Sequence, residues 1–136
     1  MSMSNTTEND LMLLFFNATA LSWDALGTLY VALHTADPGE AGTATTSEAT
    51  YTSYARVGVT RGGGGFTVVG NGVSNAALIQ FPQCTGSTNT ITHFSIVTTA
   101  SGAGQIIVSG ALSSSLSVAS GIQPQFAIGA LTGTAD

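Results

Sequence analysis

Lysine is absent from this chain, and Arg56 and Arg61 are its only bases. Charged residues make up 7% of the sequence, against about 25% in an average domain. With a net charge of −5, there are too few cations to neutralise a run of phosphates, which argues against direct DNA or RNA binding and against an anionic membrane surface. The single cysteine, Cys84, has no partner for an internal disulfide and fits synthesis in a reducing compartment. Long hydrophobic runs are also missing. The first apolar stretch, Leu11 to Phe16, falls far short of the about 20 residues a membrane-spanning helix needs. No positively charged segment precedes it, so neither a transmembrane helix nor a secretory signal is expected.

Patterns that would carry chemistry are scarce as well. The glycines Gly62 to Gly65 lack the Gly-Lys-Ser/Thr ending of a phosphate-binding loop. His34, Asp37, Cys84 and His93 are the only set resembling a metal shell, and they have no compact ligand spacing. The two histidines read instead as ordinary strand residues satisfied by backbone groups. Serine is abundant, but there is no Gly-x-Ser-x-Gly elbow to present one as a nucleophile. Glu40 and Glu48 read as solvated loop charges, and the matches to the glycosylation pattern at Asn5 and Asn17 carry little weight without a secretory signal. The expectation is a protein that is not an enzyme, with no catalytic, cofactor-binding or metal residues and no cofactor.

What is present suits an all-β fold. Hydrophobic residues reach 43% and glycine 17 residues, with polarity supplied mostly by Ser and Thr. That composition favours short strands, many turns and a surface able to lie against other protein with little charge desolvation. A chain of 136 residues forms one domain that buries roughly two thirds of its unfolded surface. The strongest local pairing signal is Phe66 to Phe81, where Gly70-Asn71-Gly72 separates two apolar runs. If Asn71 and Gly72 are the turn residues, Phe66 faces Ala77 and Val68 faces Asn75.

Thr28 to Thr35 alternates, with Leu29, Val31 and Leu33 on one face and Tyr30, Ala32 and His34 on the other. Ala36-Asp37-Pro38-Gly39 ends that strand, and residues 36–50 form an exposed loop with no apolar periodicity. Further strands are expected over Tyr51 to Arg61, Thr90 to Thr98, Gln105 to Ala111, Leu112 to Val118 beyond a serine cluster, and Phe126 to Ala130. This spacing predicts an antiparallel β-sandwich or jelly roll. Ahead of it, residues 1–20 form an N-terminal arm. Asn5-Thr6-Thr7-Glu8 has capping-box spacing and leads into a short helix that is apolar nearly all round. Such a helix needs cover on more than one side, either as a plug at the end of the domain or against a neighbouring subunit. Trp23, in the connection that follows, needs apolar cover and a hydrogen-bond partner if buried.

The stretch Leu29-Tyr30-Val31-Ala32-Leu33-His34-Thr35-Ala36-Asp37-Pro38-Gly39-Glu40-Ala41-Gly42 resembles a family of small virion structural proteins of tailed bacteriophages. The likeness continues through Glu48-Ala49-Thr50-Tyr51, Tyr54-Ala55-Arg56-Val57, Phe66-Thr67-Val68, Thr92-His93-Phe94-Ser95-Ile96 and the segment Gly121 to Leu131. Members are described either as capsid cement or decoration proteins or as tail-fibre-like proteins. The resemblance implies a noncatalytic protein that binds the assembled major capsid protein lattice from the capsid exterior after synthesis in the host cytoplasm. The alternative is a tail or tail-fibre-associated structural protein, and a carbohydrate-binding module is a weaker one. Implied partners are the major capsid protein and further copies of the chain as a dimer or trimer. Candidate contact residues are Phe15 and Phe16 on the helix, Asp37, Pro38, Gly39, Glu40 and Glu48 in the loop, and Arg56 and Arg61. The arginines pair either with shell carboxylates or with Glu40 or Glu48 of the same chain.

Overall fold

The computed structural model describes residues 1–135. Its elements, in chain order, are β1 (Ser2–Met3), α1 (Asn5–Asn17), β2 (Thr28–His34), β3 (Val57–Thr60), β4 (Phe66–Val69), β5 (Gly72–Asn75), β6 (Ile79–Gln80), β7 (Asn89–Val97), β8 (Ile106–Val118), β9 (Gln125–Phe126) and β10 (Thr132–Thr134). A five-stranded sheet in the order β1-β8-β7-β2-β3 forms one layer, and every pairing in it is antiparallel. The sheets β10-β5-β4 and β6-β9 supply the second layer. The fold is an all-β sandwich with one short N-terminal helix.

The core joins the layers. Leu29, Val31 and Leu33 of β2 and Ile91, Phe94 and Ile96 of β7 share one apolar cluster with Ile79, Phe81 and Leu131 from the facing layer. Each set recurs at every second position, except where β7 steps from Ile91 to Phe94. That step coincides with a break in register. Ile91 is opposite Leu116, whereas His93 is opposite Ala111, so Leu112 to Ser115 of β8 bulge away from the ladder. The serine cluster therefore does not separate two strands; β8 runs through it for 13 residues.

The Phe66 hairpin forms two residues out of the expected register. Phe66 faces Asn75 and Val68 faces Val73, making Gly70 and Asn71 the turn residues. Gly70 takes a φ of +62° while Asn71 stays at negative φ, the pattern of a turn that puts glycine first. This register pairs valine with valine, and it lets Asn75 turn inward. There its amide donates to the carbonyls of Ala77 and Ala127 and accepts from the Leu131 N–H. The hairpin belongs to the covering layer, while the long β7–β8 pair forms the centre of the main sheet.

Two further segments differ from the sequence expectation. Only Val57–Thr60 of the Tyr51 to Arg61 stretch pairs as a strand, because Tyr51 and Tyr54 turn into the core as an edge-to-face pair. The strand expected over Phe126 to Ala130 is confined to Gln125–Phe126, the chain pairs again only at Thr132–Thr134, and Ile128 is exposed.

Candidate functional site

Residues 35–50 form a strap that returns along β2. The Thr35 N–H donates to the Ser47 carbonyl and the Ala49 N–H to that of Leu33, while His34 and Glu48 form an isolated antiparallel bridge. Ala44 is fully buried and donates its N–H to Gly104 in the β7–β8 connection. Most of the strap is exposed, but it is fastened along its length.

Arg56 is the main fastening. Its guanidinium meets both oxygens of Glu48, Nε to Oε1 at 2.7 Å and Nη2 to Oε2 at 2.9 Å. The remaining donors reach the carbonyls of Thr99 and Gly102. Side-chain exposure is 2% for Arg56 and 16% for Glu48, so the pair lies largely out of water. Its bidentate geometry and further hydrogen bonds offset the desolvation of both charges. The hydrogen bonds that Arg56 donates to Glu48 push its pKa up further. Tyr54 donates its hydroxyl to Glu48 and accepts from the Leu33 N–H; its pKa is raised, mostly by burial. Glu48 and Arg56, candidate contact residues in the sequence, are thus committed to each other.

His34 extends this polar seam inward. Its ring is fully buried, with Nδ1 2.8 Å from the Thr46 carbonyl and Nε2 2.7 Å from the Ser95 hydroxyl. A carbonyl can only accept, which assigns the hydrogen to Nδ1 and leaves Nε2 to accept from Ser95. Burial lowers the His34 pKa below 6.5, against the opposing influence of the Thr46 carbonyl. His93 contacts the Thr92 hydroxyl through Nδ1. Among the described residues, no three His, Cys, Asp or Glu side chains gather into a metal-binding group.

Arg61 ties a different segment. It sits 5.1 Å from the centre of the Trp23 ring, meets Asp24 at 3.3 Å, and donates to the backbone carbonyls of Trp23, Asp24 and Leu26. Its partner is Asp24 and not Glu40 or Glu48. The Trp23 indole N–H is enclosed without a hydrogen-bond partner among the described residues, an unmet need that costs about 1–3 kcal/mol for a typical buried donor. In the turn after β2, the Gly39 N–H donates to the Asp37 carboxylate, Pro38 is buried, and Gly39 takes a φ of +72°. Glu40 accepts from the Ser2 hydroxyl, and its backbone carbonyl accepts from the Asn5 N–H.

Of the two placements expected for it, a plug in the domain or a contact with a neighbouring subunit, the helix does not form the plug. Its cap is Ser4, one residue ahead of the anticipated Asn5, and the Ser4 hydroxyl accepts from the Thr7 N–H. The hydroxyls of Ser4 and Thr7 both donate to the Ile106 carbonyl, and the Gln105 amide reaches Thr7 and Asp10. Thr7 is the one buried residue of α1. The polar first half is therefore seated on β8, while the apolar second half projects: Phe15 is 68% exposed and Phe16 77%. The helix ends where Ala18 enters the left-handed region at φ 54°, with the Ala18 N–H returning to the Leu13 carbonyl. No helix among the described residues is long and apolar enough to cross a membrane.

A second apolar feature lies where the two layers part. A groove of about 510 Å³ opens between the main sheet and the β4–β5 hairpin, walled by Leu29, Phe66, Val68, Val73, Ile107 and Val108. An adjoining hollow of about 280 Å³ shares Met1, Val68, Val73 and Val108 with it. Nothing in the sequence marked this groove, because its walls come from five separate strands and connections. The one available signal was Val68-Val69 beside the turn, two adjacent β-branched residues that cannot both face inward.

These features define the class: a small antiparallel β-sandwich with both arginines paired internally and the apolar half of its helix held outside the core. The chain belongs to the Gp80 family, described as podophage GP4 fiber I protein gp80, whose family model matches residues 2–134. It is therefore a phage virion structural protein. Among proteins of curated function, none matches the chain.

Proposed function

We propose that this chain is a noncatalytic structural subunit of a podophage tail-fibre apparatus. Membership of a family described as a fibre protein, across residues 2–134, carries this reading. The surface is compatible with it: few charges, many Ser, Thr and Gly residues, and exposed apolar side chains that gain by meeting other protein. The aromatics that could have formed a sugar platform are otherwise engaged. Trp23 lies under Arg61, Tyr54 is bonded to Glu48 and Leu33, and Tyr30 leans on Val97 and Ile106.

The test is an asymmetric electron-microscopy reconstruction of the intact virus that carries this protein, with its density assigned residue by residue. Density at the tail or its fibres supports the proposal. Density repeated over the capsid lattice between major capsid subunits overturns it in favour of a capsid cement.

A further inference from the structure

The protein carries an apolar knob and an apolar groove, and neither is satisfied within one copy. The knob is the second half of α1, where Met12, Leu14, Phe15 and Phe16 are exposed and no residue from Leu11 to Asn17 is charged. The groove, of about 510 Å³, falls within the range of cavities that enclose a small ligand, and it can receive one or two aromatic rings. No residue of α1 lines it. The helix cannot swing into its own groove while Ser4, Thr7 and Asp10 hold its start to β8 and Arg61 holds the segment after it.

We propose that the projecting half of α1 in one copy inserts Phe15 and Phe16 into the groove between the β4–β5 hairpin and the main sheet of a second copy. Charge supports this choice of occupant. Among the described residues, Arg61 is the only charged side chain lining the groove, and it is positive. The incoming helix end has no basic residue in its last turn, so it presents the negative end of its backbone dipole. Copies of net charge −5 repel elsewhere, which favours contact through these two charge-poor regions. Two phenylalanine rings bury about 300–500 Å². With a matching area from the groove walls, the two rings account for roughly 600–1,000 Å², below the about 1,200 Å² at which specific interfaces begin, so Met12 and Leu14 must join the contact or the association is a weak one multiplied by repetition. Met1 lies at the mouth of both hollows, and its unbranched side chain can move to suit the incoming rings. The glycines Gly62 and Gly63 at the rim have no side chain to obstruct entry.

Such a contact is heterologous: each copy offers its helix to one neighbour and its groove to another. Successive copies therefore form a closed ring or an open column according to the rotation between them. This goes beyond the fibre reading and holds whether the protein sits on the tail or the capsid, so the reconstruction above can fail without touching it.

The experiment is sedimentation of the full chain over a concentration series, with two variants on exposed positions. Phe15→Ser with Phe16→Ser removes the knob, and Val68→Glu blocks the groove; circular dichroism checks that each remains folded. The parent is expected to assemble with rising concentration. Each variant alone is expected to self-associate at least about 30-fold more weakly, the loss typical of a central aromatic contact. Mixing the two variants restores one intact knob and one intact groove, and the expected product stops at a heterodimer. A parent that stays monomeric overturns the proposal. So does a folded Val68→Glu variant that assembles as well as the parent, since that result places helix against helix.

Discussion

Beside β2, two ionised groups and a histidine lie almost out of water; on α1 and β4, phenylalanines and valines face it. The seam around His34, Glu48 and Arg56 is interior because nearly every donor and acceptor in it has a partner from the same chain. Phe15 and Phe16 of α1 and Val68 and Val69 of β4 are exterior because nothing among the described residues covers them. The core is apolar, and the few polar groups inside it are buried where each finds a hydrogen-bond partner. The helix shows the same contrast over a few turns, with Thr7 inside on hydroxyl hydrogen bonds and Phe16 outside.

The contrast breaks most sharply at Arg56. Substitution by Ala leaves the Glu48 carboxylate enclosed with its tyrosine alone, and a loss of about 3–5 kcal/mol is expected in urea unfolding. Pairing Arg56→Met with Glu48→Gln removes both charges and is expected to recover part of that loss; a double variant no better than the single one would place the cost in lost packing. Thr7→Val keeps the shape of the helix seat but leaves the Ile106 carbonyl and the Gln105 amide short of a partner. An unfolding free energy lower by about 1–3 kcal/mol is expected.

His34 gives the seam a pH dependence. Because burial depresses its pKa in the fold, the unfolded chain takes up a proton below pH 6.5 before the folded chain does. Stability is therefore full above pH 6.5 and falls as the pH drops toward the folded value, below which both states are protonated. Replacing His34 by Gln is expected to flatten the urea midpoint across about pH 5 to 8, and an unchanged slope would assign the dependence to other groups. The smallest effect belongs to the exposed helix tip. Phe16→Ser is expected to leave the stability of the dilute monomer within about 0.5 kcal/mol, since the ring contacts so little of its own chain. A larger drop would mean that the helix tip already leans on the domain.

Strands with a single buried face and local turns were the legible part of the fold. Alternation placed β2, β7 and the first half of β8, and composition gave the β class. The misplaced hairpin register shows the limit of turn chemistry: Gly-Asn-Gly permits two turns one residue apart, whose strand registers differ by two, and the choice is made by Val68 facing Val73 and by Asn75 reaching Leu131, 56 positions away. Among the candidate contact residues, the pairing of Arg56 with Glu48 was open in the sequence as one of several options, decided by the strap folding back on β2. The partner of Arg61 was not foreseen, because Asp24 comes near only when β3 brings the two segments together. Of the two placements left open for the helix, the core plug does not form; Ser4, Thr7 and Asp10 look solvated in the sequence until Ile106 supplies a carbonyl and Gln105 an amide.

The bulge at Leu112 to Ser115 also bears on solubility. Beyond Ser109, the outer edge of β8 has no strand beside it, since β1 covers only Val108 and Ser109. A flat edge of that length, rich in unpaired amides and carbonyls, would be a template for runaway strand addition from other chains. Four residues thrown out of the ladder interrupt that template midway, so the longest strand of the protein offers no continuous row on which a fibril could seed.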